Sequence, residues 1–432
     1  MRNTFEQHFK LKEEETTFGK EVLAGFVAFF TVVYIIAVNS AILSEAGIPI
    51  EAAVLATIFT SAAGSILIGL WANAPMVLVP GMGVNAMFSY TIVQAMGLTW
   101  QQGLAVVFIS GLFYTVIAFT PLTGILSRAI PDSLKDSITV GLGLFLALIG
   151  LEKGGIVQKG EHSILALGDI GEPAVLLSIV TLLIAAALFA WNVPANFLIS
   201  IVIGTALSVF TGVTDMHGTG GPAPKQSGFG EVFMSMDFGN SFSMVFWIAV
   251  FSLTMVLVFE NIGLVHNQVT MLQRPAAFTP AFRSNAFASM FSGIFGTSPT
   301  VSAVESAAAI TAGGRTGITS ITTGLLFLVS VFFIPYVKII PDSAIAPVLI
   351  IIGSLMLHNI KNISFHDMSE GFPAFLVIIM IPFSYSIADG IGFGFIAYPV
   401  MKLLSGKPKE VSFPLYVIAG LFLINFIMHG MG

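Results

Sequence analysis

The sequence predicts an all-α polytopic membrane protein of about 14 transmembrane segments, arranged as seven-plus-seven inverted repeats with two short strand or half-helix segments at the midplane. Three observations predict it. Of 432 residues, 56% are hydrophobic and only 9% are charged, with a mean hydropathy of +0.93; an ordinary soluble domain is roughly 25% charged. Stretches without Asp, Glu, Lys or Arg recur at membrane-spanning length. A short motif recurs in two halves of matching hydropathy. This composition excludes a water-soluble enzyme, a disordered chain and a secreted disulfide scaffold. Cysteine is absent, which removes disulfides and thiolate chemistry together. The seven histidines form no HxxxH-type pair, so no metal site is expected. The net charge of −6 offers no basic surplus for nucleic acid.

The elements follow from the charge-free map. Residues 1–21 are polar and mixed in charge, and read as a cytoplasmic N-terminus rather than a signal peptide. Residues 22–44 form the first span, and 52–127 hold three more at about 20 residues each. Further spans fall at 137–151, at 173–214 (a pair broken at Asn192–Pro194), 238–259, 284–304, from about 299, 316–337, 343–360, 371–388 and 411–432. The Gly-rich 389–405 region leaves room for one more short or bent segment. Arg2, Lys10, Lys12, Lys20, Arg128, Lys135, Arg274, Arg283 and Arg315 then share one side, which is cytoplasmic by the positive-inside rule. Lys153, Lys159, Lys225 and Lys338 lie on the other. The loops 152–172 and 213–240 are expected to be extracytoplasmic and irregular.

Ile130-Pro131-Asp132-Ser133 recurs as Ile340-Pro341-Asp342-Ser343, 210 residues later. Each copy opens an apolar span carrying glycine (Gly141 and Gly143; Gly353). Pro173-Ala174 and Pro373-Ala374 follow at looser spacing. An odd number of spans per half inverts one copy relative to the other, the plan of many secondary transporters. Two interrupted segments sit at corresponding places. In Ala74–Asn85 an extended run ends at Pro80-Gly81, and a helix can start just after. In Gly296–Ser302, Ser298 is placed as an N-cap with Pro299 at the first helical position. Half-helices starting inside the membrane present free N–H groups to a central site.

Three acids stand in apolar surroundings: Glu260, Glu305 and Asp389. An ionised carboxylate at mid-membrane costs several kcal/mol, so such residues are expected to face a cavity and to exchange protons. Glu260 and Glu305 are candidates for substrate binding and for proton coupling, against the blander alternatives of an interface position and a helix-packing contact. Asp389 reads as a cap or helix-break residue. Asn85, one turn into the first half-helix, is a ligand or interhelical glue; Asn39 is weaker. Phe29, Phe30, Tyr34, Phe88 and Phe259 lie near the presumed site, where an aromatic ring can stack on a planar ligand. Gly313-Gly314-Arg315-Thr316-Gly317 lacks the Lys and spacing of a P-loop and reads as a tight turn.

Pro80-Gly81-Met82-Gly83-Val84-Asn85-Ala86, Glu305-Ser306-Ala307-Ala308, Ala312–Gly317 and Tyr385-Ser386-Ile387-Ala388-Asp389-Gly390 together resemble the nucleobase–cation symporter family of uracil, xanthine and ascorbate permeases, and most nearly its guanine/hypoxanthine (azaguanine-resistance) branch. The resemblance runs from about residue 16 onward. It implies core halves at 22–120 and 241–337 (spans 1–4 and 8–11) and gate halves at 121–212 and 338–432, with 213–240 as a loop between them. It implies elevator-type, proton-coupled uptake of a purine across the cell membrane, often by a homodimer, with no cofactor beyond the proton gradient. The family's substrate determinants fall on Asn85, Glu260 and Glu305, with Phe259 and Val304 beside the two acids. Glu260-Asn261 stands where the purine branch usually has Asp-Thr, and Leu257 where it has another acid. Glu260 is more like the uracil and xanthine branches, so a xanthine or uracil symporter is the alternative.

Other classes are weaker. An anion carrier of the same fold would be repelled by two central acids. A channel would conduct without saturation or a proton gradient. No HExxH, GxSxG or paired intramembrane Asp motif suggests a membrane enzyme.

Overall fold

The computed structural model describes residues 8–160, 163–214 and 228–431. Nearly half of the loop expected over 213–240 therefore lies outside the described residues, at 215–227. The first span is two helices, α1 (Phe18–Val32) and α2 (Ile35–Glu45), followed by α3 (Ile50–Ala72). Strand β1 (Leu78–Pro80) leads into α4 (Met82–Ala86), which runs on as a wide helix to Ala95. Next come α5 (Trp100–Phe119), α6 (Leu122–Ala129) and α7 (Asp132–Lys153). A small hairpin, β2 (Val157–Gln158) with β3 (Ala166–Leu167), interrupts the loop expected to be irregular. Helices α8 (Pro173–Ala190) and α9 (Asn196–Phe210) close the first half.

The second half repeats the plan with α10 (Met244–Met271), α11 (Phe278–Phe295), β4 (Thr300–Ser302), α12 (Ser306–Thr311), α13 (Gly317–Val337), α14 (Asp342–Met356), α15 (Met368–Ser384) and α16 (Ile387–Leu404). Helix α17 (Phe413–Met431) follows. Among the described residues, nine helical stretches are long and apolar enough to cross a membrane, and the rest are shorter.

The packing is two-fold symmetric in topology. Helices α3 and α13 pack together as α11 and α5 do, and α1 lies on α13 as α10 lies on α5. In a second bundle α7 packs on α14, α15 packs on α7 as α8 packs on α14, and α8–α9 pairs as α15–α16 does. The pairings equate α9 with α16, so the second repeat closes at Leu404. The expected last span of the repeat, 411–432, is instead an added helix. Phe422 of α17 contacts Phe395 of α16 and Phe251 of α10, at ring distances of 6.0 and 5.6 Å.

Candidate site at the strand crossing

Strands β1 and β4 pair antiparallel, with Leu78 opposite Ser302 and Pro80 opposite Thr300. Gly81 N–H donates to the Pro299 carbonyl (3.1 Å), and Ala303 N–H to Val77 (2.8 Å), extending the pair. Lipid offers nothing to unpaired backbone groups, and neighbouring helices supply side chains instead. Ser65 of α3 bonds both the N–H and the carbonyl of Leu78. Ser289 donates to the Thr300 carbonyl (2.5 Å), and Thr300 N–H donates to Ser292 Oγ (3.1 Å). Asn261 Oδ1 accepts from Ser302 N–H (3.1 Å), and Gln268 reaches both the Ala303 carbonyl and the Ser302 hydroxyl. Thus α3, α10 and α11 hold the crossing with Ser, Asn and Gln.

This corrects one expectation. Pro299 does not open a helix and Ser298 is not its cap. Thr300-Val301-Ser302 pairs as a strand, and Ser298 Oγ donates to Asn39 Oδ1 (3.2 Å). The half-helix starts at Ser306, so Glu305 stands at its N-cap. The β-branched Thr300 and Val301 suit extended backbone, and that preference outweighs the Ser-Pro signal. Asn85 lies where expected, as the fourth residue of α4.

Glu305 accepts a hydrogen bond of 2.5 Å from the Tyr34 hydroxyl. Its neighbour Val304 is 65% exposed, so this turn borders open space. Glu260 projects from α10, one residue before the strand anchor Asn261, and its Oε2 is buried without a hydrogen-bond partner among the described residues. Phe259 is buried in the hydrophobic core beside it. Asn85 is wholly buried, and both polar atoms of its carboxamide lack a partner among the described residues. The structure brings these residues onto contacting elements, since α10 packs against α4, β4 and α12. Glu260 and Glu305 make no hydrogen bond to each other. Asn39, in contrast, is spent: its Nδ2 donates to Thr57 (2.7 Å) and Thr297 (3.1 Å). Asp389 sits apart, in the first turn of α16, with its N–H on the Ser386 cap.

Sequence reasoning missed several residues. Tyr34 enters as a hydrogen-bond donor to the site acid, rather than only as a ring to stack. Glu21 is a fully buried acid that accepts from the N–H groups of Arg315 and Thr316 and from the Thr319 hydroxyl, and so caps α13 and fixes the Gly313–Gly317 turn. Its place in the polar leader concealed it. Lys402 is a buried cation in a span, paired with Glu370 (2.6 Å) and Glu410 (2.7 Å). Only the Gly-rich ambiguity at 389–405 hid it.

Two discontinuous segments crossing between two inverted seven-segment repeats, with acids beside them, define a multi-pass membrane transporter. The comparisons name the group. The chain belongs to the permease family (Xan_ur_permease), whose profile matches residues 19–393. It is 49% identical over 380 residues to the nucleobase transporter PlAzg2 of Paenibacillus larvae, covering 88% of this chain and 76% of that one. It is 37% identical to the guanine/hypoxanthine permease PbuO of Bacillus subtilis (97% and 100% covered) and 35% identical to the adenine permease AdeP of Escherichia coli (98% and 96% covered). In fold it is similar to the transmembrane domain of the cyanobacterial bicarbonate transporter BicA, with TM-score 0.67, 17% identity, and 86% and 96% covered. It is likewise similar to SLC26A9, with TM-score 0.71, 12% identity, and 91% and 66% covered. The chain is a nucleobase-permease family member and not an enzyme.

Proposed function

We propose that the protein takes up purine nucleobases, guanine or hypoxanthine first, in symport with protons. In this reading α1–α5 and α10–α13 form a core that carries the site past a gate built on α7–α9 and α14–α16, in an elevator movement, and the N-terminus is cytoplasmic. The carrying observation is unspent hydrogen-bonding capacity at the strand crossing: among the described residues, both polar atoms of Asn85 and one oxygen of Glu260 have no partner, and Tyr34 meets only one oxygen of Glu305. Leaving a buried polar group unpaired costs about 1–3 kcal/mol, so these groups gain most from a ligand with complementary edges.

The chemistry favours particular bases. Guanine presents N1–H and exocyclic N–H donors side by side, and hypoxanthine keeps the N1–H. A carboxylate accepts on both oxygens, so Glu305 suits that edge. Asn85 can both donate to a carbonyl or ring nitrogen and accept. Adenine offers a ring acceptor where guanine has N1–H, which leaves one carboxylate oxygen unmatched. Glu260 then carries the proton or holds the far edge. The name of PbuO supports this order and that of PlAzg2 a nucleobase in general; that of AdeP requires adenine in the test. The experiment is uptake of labelled guanine, hypoxanthine, adenine, xanthine and uracil into proteoliposomes, with and without an inward proton gradient. Saturable, gradient-driven uptake of guanine or hypoxanthine is expected. Preference for xanthine or uracil would move the substrate assignment to the alternative that Glu260 favours. Gradient-independent uptake would remove the coupling.

A further inference from the structure

We propose that Tyr34 is a positioning residue: its hydroxyl fixes the rotamer of Glu305 for the incoming base, and its ring ties that arrangement to the gate through Phe197. This deepens the purine-symporter reading and rests on it.

The backbone explains why Tyr34 reaches the site. Helix α1 stops at Val32 and α2 begins at Ile35, so Tyr34 sits at the break. No Pro or Gly lies between Val27 and Glu45 to cause it. The run Thr31-Val32-Val33 and Ile35-Ile36 is β-branched, and such side chains crowd the preceding helical turn. The Thr31 hydroxyl also competes for the Val27 (2.5 Å) and Ala28 (3.0 Å) carbonyls, a contact that bends helices. After the break the turn tightens: Ile36 N–H donates to Val33, and both Ala37 and Val38 donate to Tyr34, all at 3.1 Å.

Tyr34 is 3% exposed, and its two ends do different things. The hydroxyl donates to Glu305 Oε1 at 2.5 Å, a bond across 271 residues of sequence. The ring meets Phe197 of α9 edge-on at 5.0 Å, and Phe197 in turn lies parallel to Phe189 of α8 at 6.5 Å. Among the described residues Tyr34 is the side-chain donor to the Glu305 carboxylate, which its own backbone N–H also meets, and Glu305 stands on a turn rather than within a helix. A carboxylate on a turn has rotational freedom that a bound base must remove. The hydrogen bond from the buried phenol, added to that from its own N–H, removes it in advance, and the remaining lone pairs stay available. Phe197 belongs to the bundle past which the site moves, so the ring contact lasts only while core and gate hold this register. Hydroxyl and ring therefore act on different steps, the first on binding and the second on movement.

The test uses Tyr34→Phe, which keeps the ring and deletes the hydroxyl, and Phe197→Leu, which keeps the hydroxyl bond and deletes the aromatic edge. Both are reconstituted beside wild type, and KM and kcat for guanine and hypoxanthine uptake are measured. Tyr34→Phe is expected to raise KM about tenfold, the worth of one hydrogen bond to a charged group, with kcat within about twofold of wild type. Phe197→Leu is expected to change kcat and leave KM within about twofold. An unchanged KM in Tyr34→Phe, or a loss confined to kcat, overturns the proposal. A wild type that takes up none of the bases overturns the purine reading, and this inference with it. Active wild type with an indifferent Tyr34→Phe overturns the inference alone.

Discussion

Gly143 of α7 and Gly353 of α14 meet backbone to backbone. A Cβ added to Gly143 would stand 2.7 Å from the Gly353 carbonyl oxygen and 2.6 Å from Met356 Cβ, and one added to Gly353 would press on the Gly143 carbonyl. Their separation of 210 residues is the offset between the two Ile-Pro-Asp-Ser copies. Two repeat-equivalent residues that touch each other mark the pseudo-two-fold axis. Close approach through small residues is how membrane helices gain packing when lipid removes the hydrophobic drive.

That contact makes a stability prediction. Gly143→Val or Gly353→Val forces α7 and α14 apart, because the obstructing atoms include backbone. Overpacking costs about 1–3 kcal/mol. Thermal unfolding of the purified protein in detergent should shift down by several degrees for either variant. Gly420, with no atom within 4 Å of its Cβ position, should tolerate alanine. Equal behaviour at the two sites would contradict the axis assignment.

A charged contact joins the bundles near one face. Lys153 Nζ bonds Glu45 (2.6 Å) at the end of α2 and Asp342 (3.2 Å) at the start of α14, beside a cavity of about 280 Å³. The repeats do not duplicate it: 210 residues on from Lys153 stands Ile363, and Asp132, the equivalent of Asp342, pairs with Lys135 on its own helix. Lys153→Met leaves two carboxylates facing each other. Because both are partly exposed, the cost is about 1–2 kcal/mol rather than that of a buried pair. The melting temperature should fall, and Glu45→Gln added to Lys153→Met should recover part of it. A double variant no more stable than the single one would count against the bridge.

At the start of α15, Asp367 carries a pH prediction. Hydrogen bonds from the Ser369 hydroxyl (2.7 Å) and N–H (2.9 Å), with Lys407 at 3.1 Å, hold its carboxyl down at about 2. The unfolded value is about 3.9. A depressed folded value adds stability above the unfolded value, which disappears as pH falls through the folded one. The melting temperature of wild type should therefore drop more than that of Asp367→Asn between about pH 4 and pH 2. Parallel curves would show that the cap has no such role.

How far the sequence carried depends on which forces act locally. Charge-free length places spans because lipid excludes charge everywhere alike, so α3, α5 and α7 were legible. Ile130–Ser133 and Ile340–Ser343 revealed the inverted repeat, and Asn85, Glu260 and Glu305 stood out as polar groups in apolar runs. What failed was decided by partners far away in sequence. Thr300–Ser302 became a strand because β1 lies opposite its β-branched residues and completes their preference for extended backbone, which moved the start of α12 past Glu305. Glu21 reads as part of a polar leader, although the α13 turn it caps lies some 290 residues on. The added helix α17 is apolar like the spans, and its packing shows that it stands outside the repeat.

The two candidate acids should separate by function. Glu305 stands at the start of α12 with Tyr34 on one oxygen, and Glu260 lies on α10, which packs against α12, with an oxygen that has no partner among the described residues. Glu305→Gln replaces an acceptor oxygen with a donor amide against the base edge. It should abolish binding of guanine, measured by scintillation proximity, in a folded and monodisperse protein. Glu260→Gln cannot exchange a proton, and should allow counterflow of preloaded base while losing accumulation driven by a pH gradient. Gradient-driven accumulation in Glu260→Gln would move the coupling elsewhere.

Asn85 and Asn39 offer a paired test of which polar residues belong to the ligand. Both are fully buried asparagines at the same crossing. Asn39 bonds Thr57, Thr297 and Ser298, whereas Asn85 has no partner for either polar atom among the described residues. Asn39→Ala therefore strands the Thr297 and Ser298 hydroxyls, while Thr57 keeps its bond to the Ala53 carbonyl, and it opens a cavity; it should cost about 2–4 kcal/mol. Asn85→Ala opens a similar cavity but removes a desolvation penalty of about 1–3 kcal/mol, and the two nearly cancel. The expected pattern is a strongly lowered melting temperature with residual uptake for Asn39→Ala, and a near-wild-type melting temperature without uptake for Asn85→Ala. Added guanine should raise the melting temperature of wild type but not of Asn85→Ala, because a ligand stabilises only the state it binds. If Asn85→Ala instead melted as early as Asn39→Ala and kept its thermal response to guanine, Asn85 would be helix-packing glue and the site would have to be rebuilt around the two acids alone.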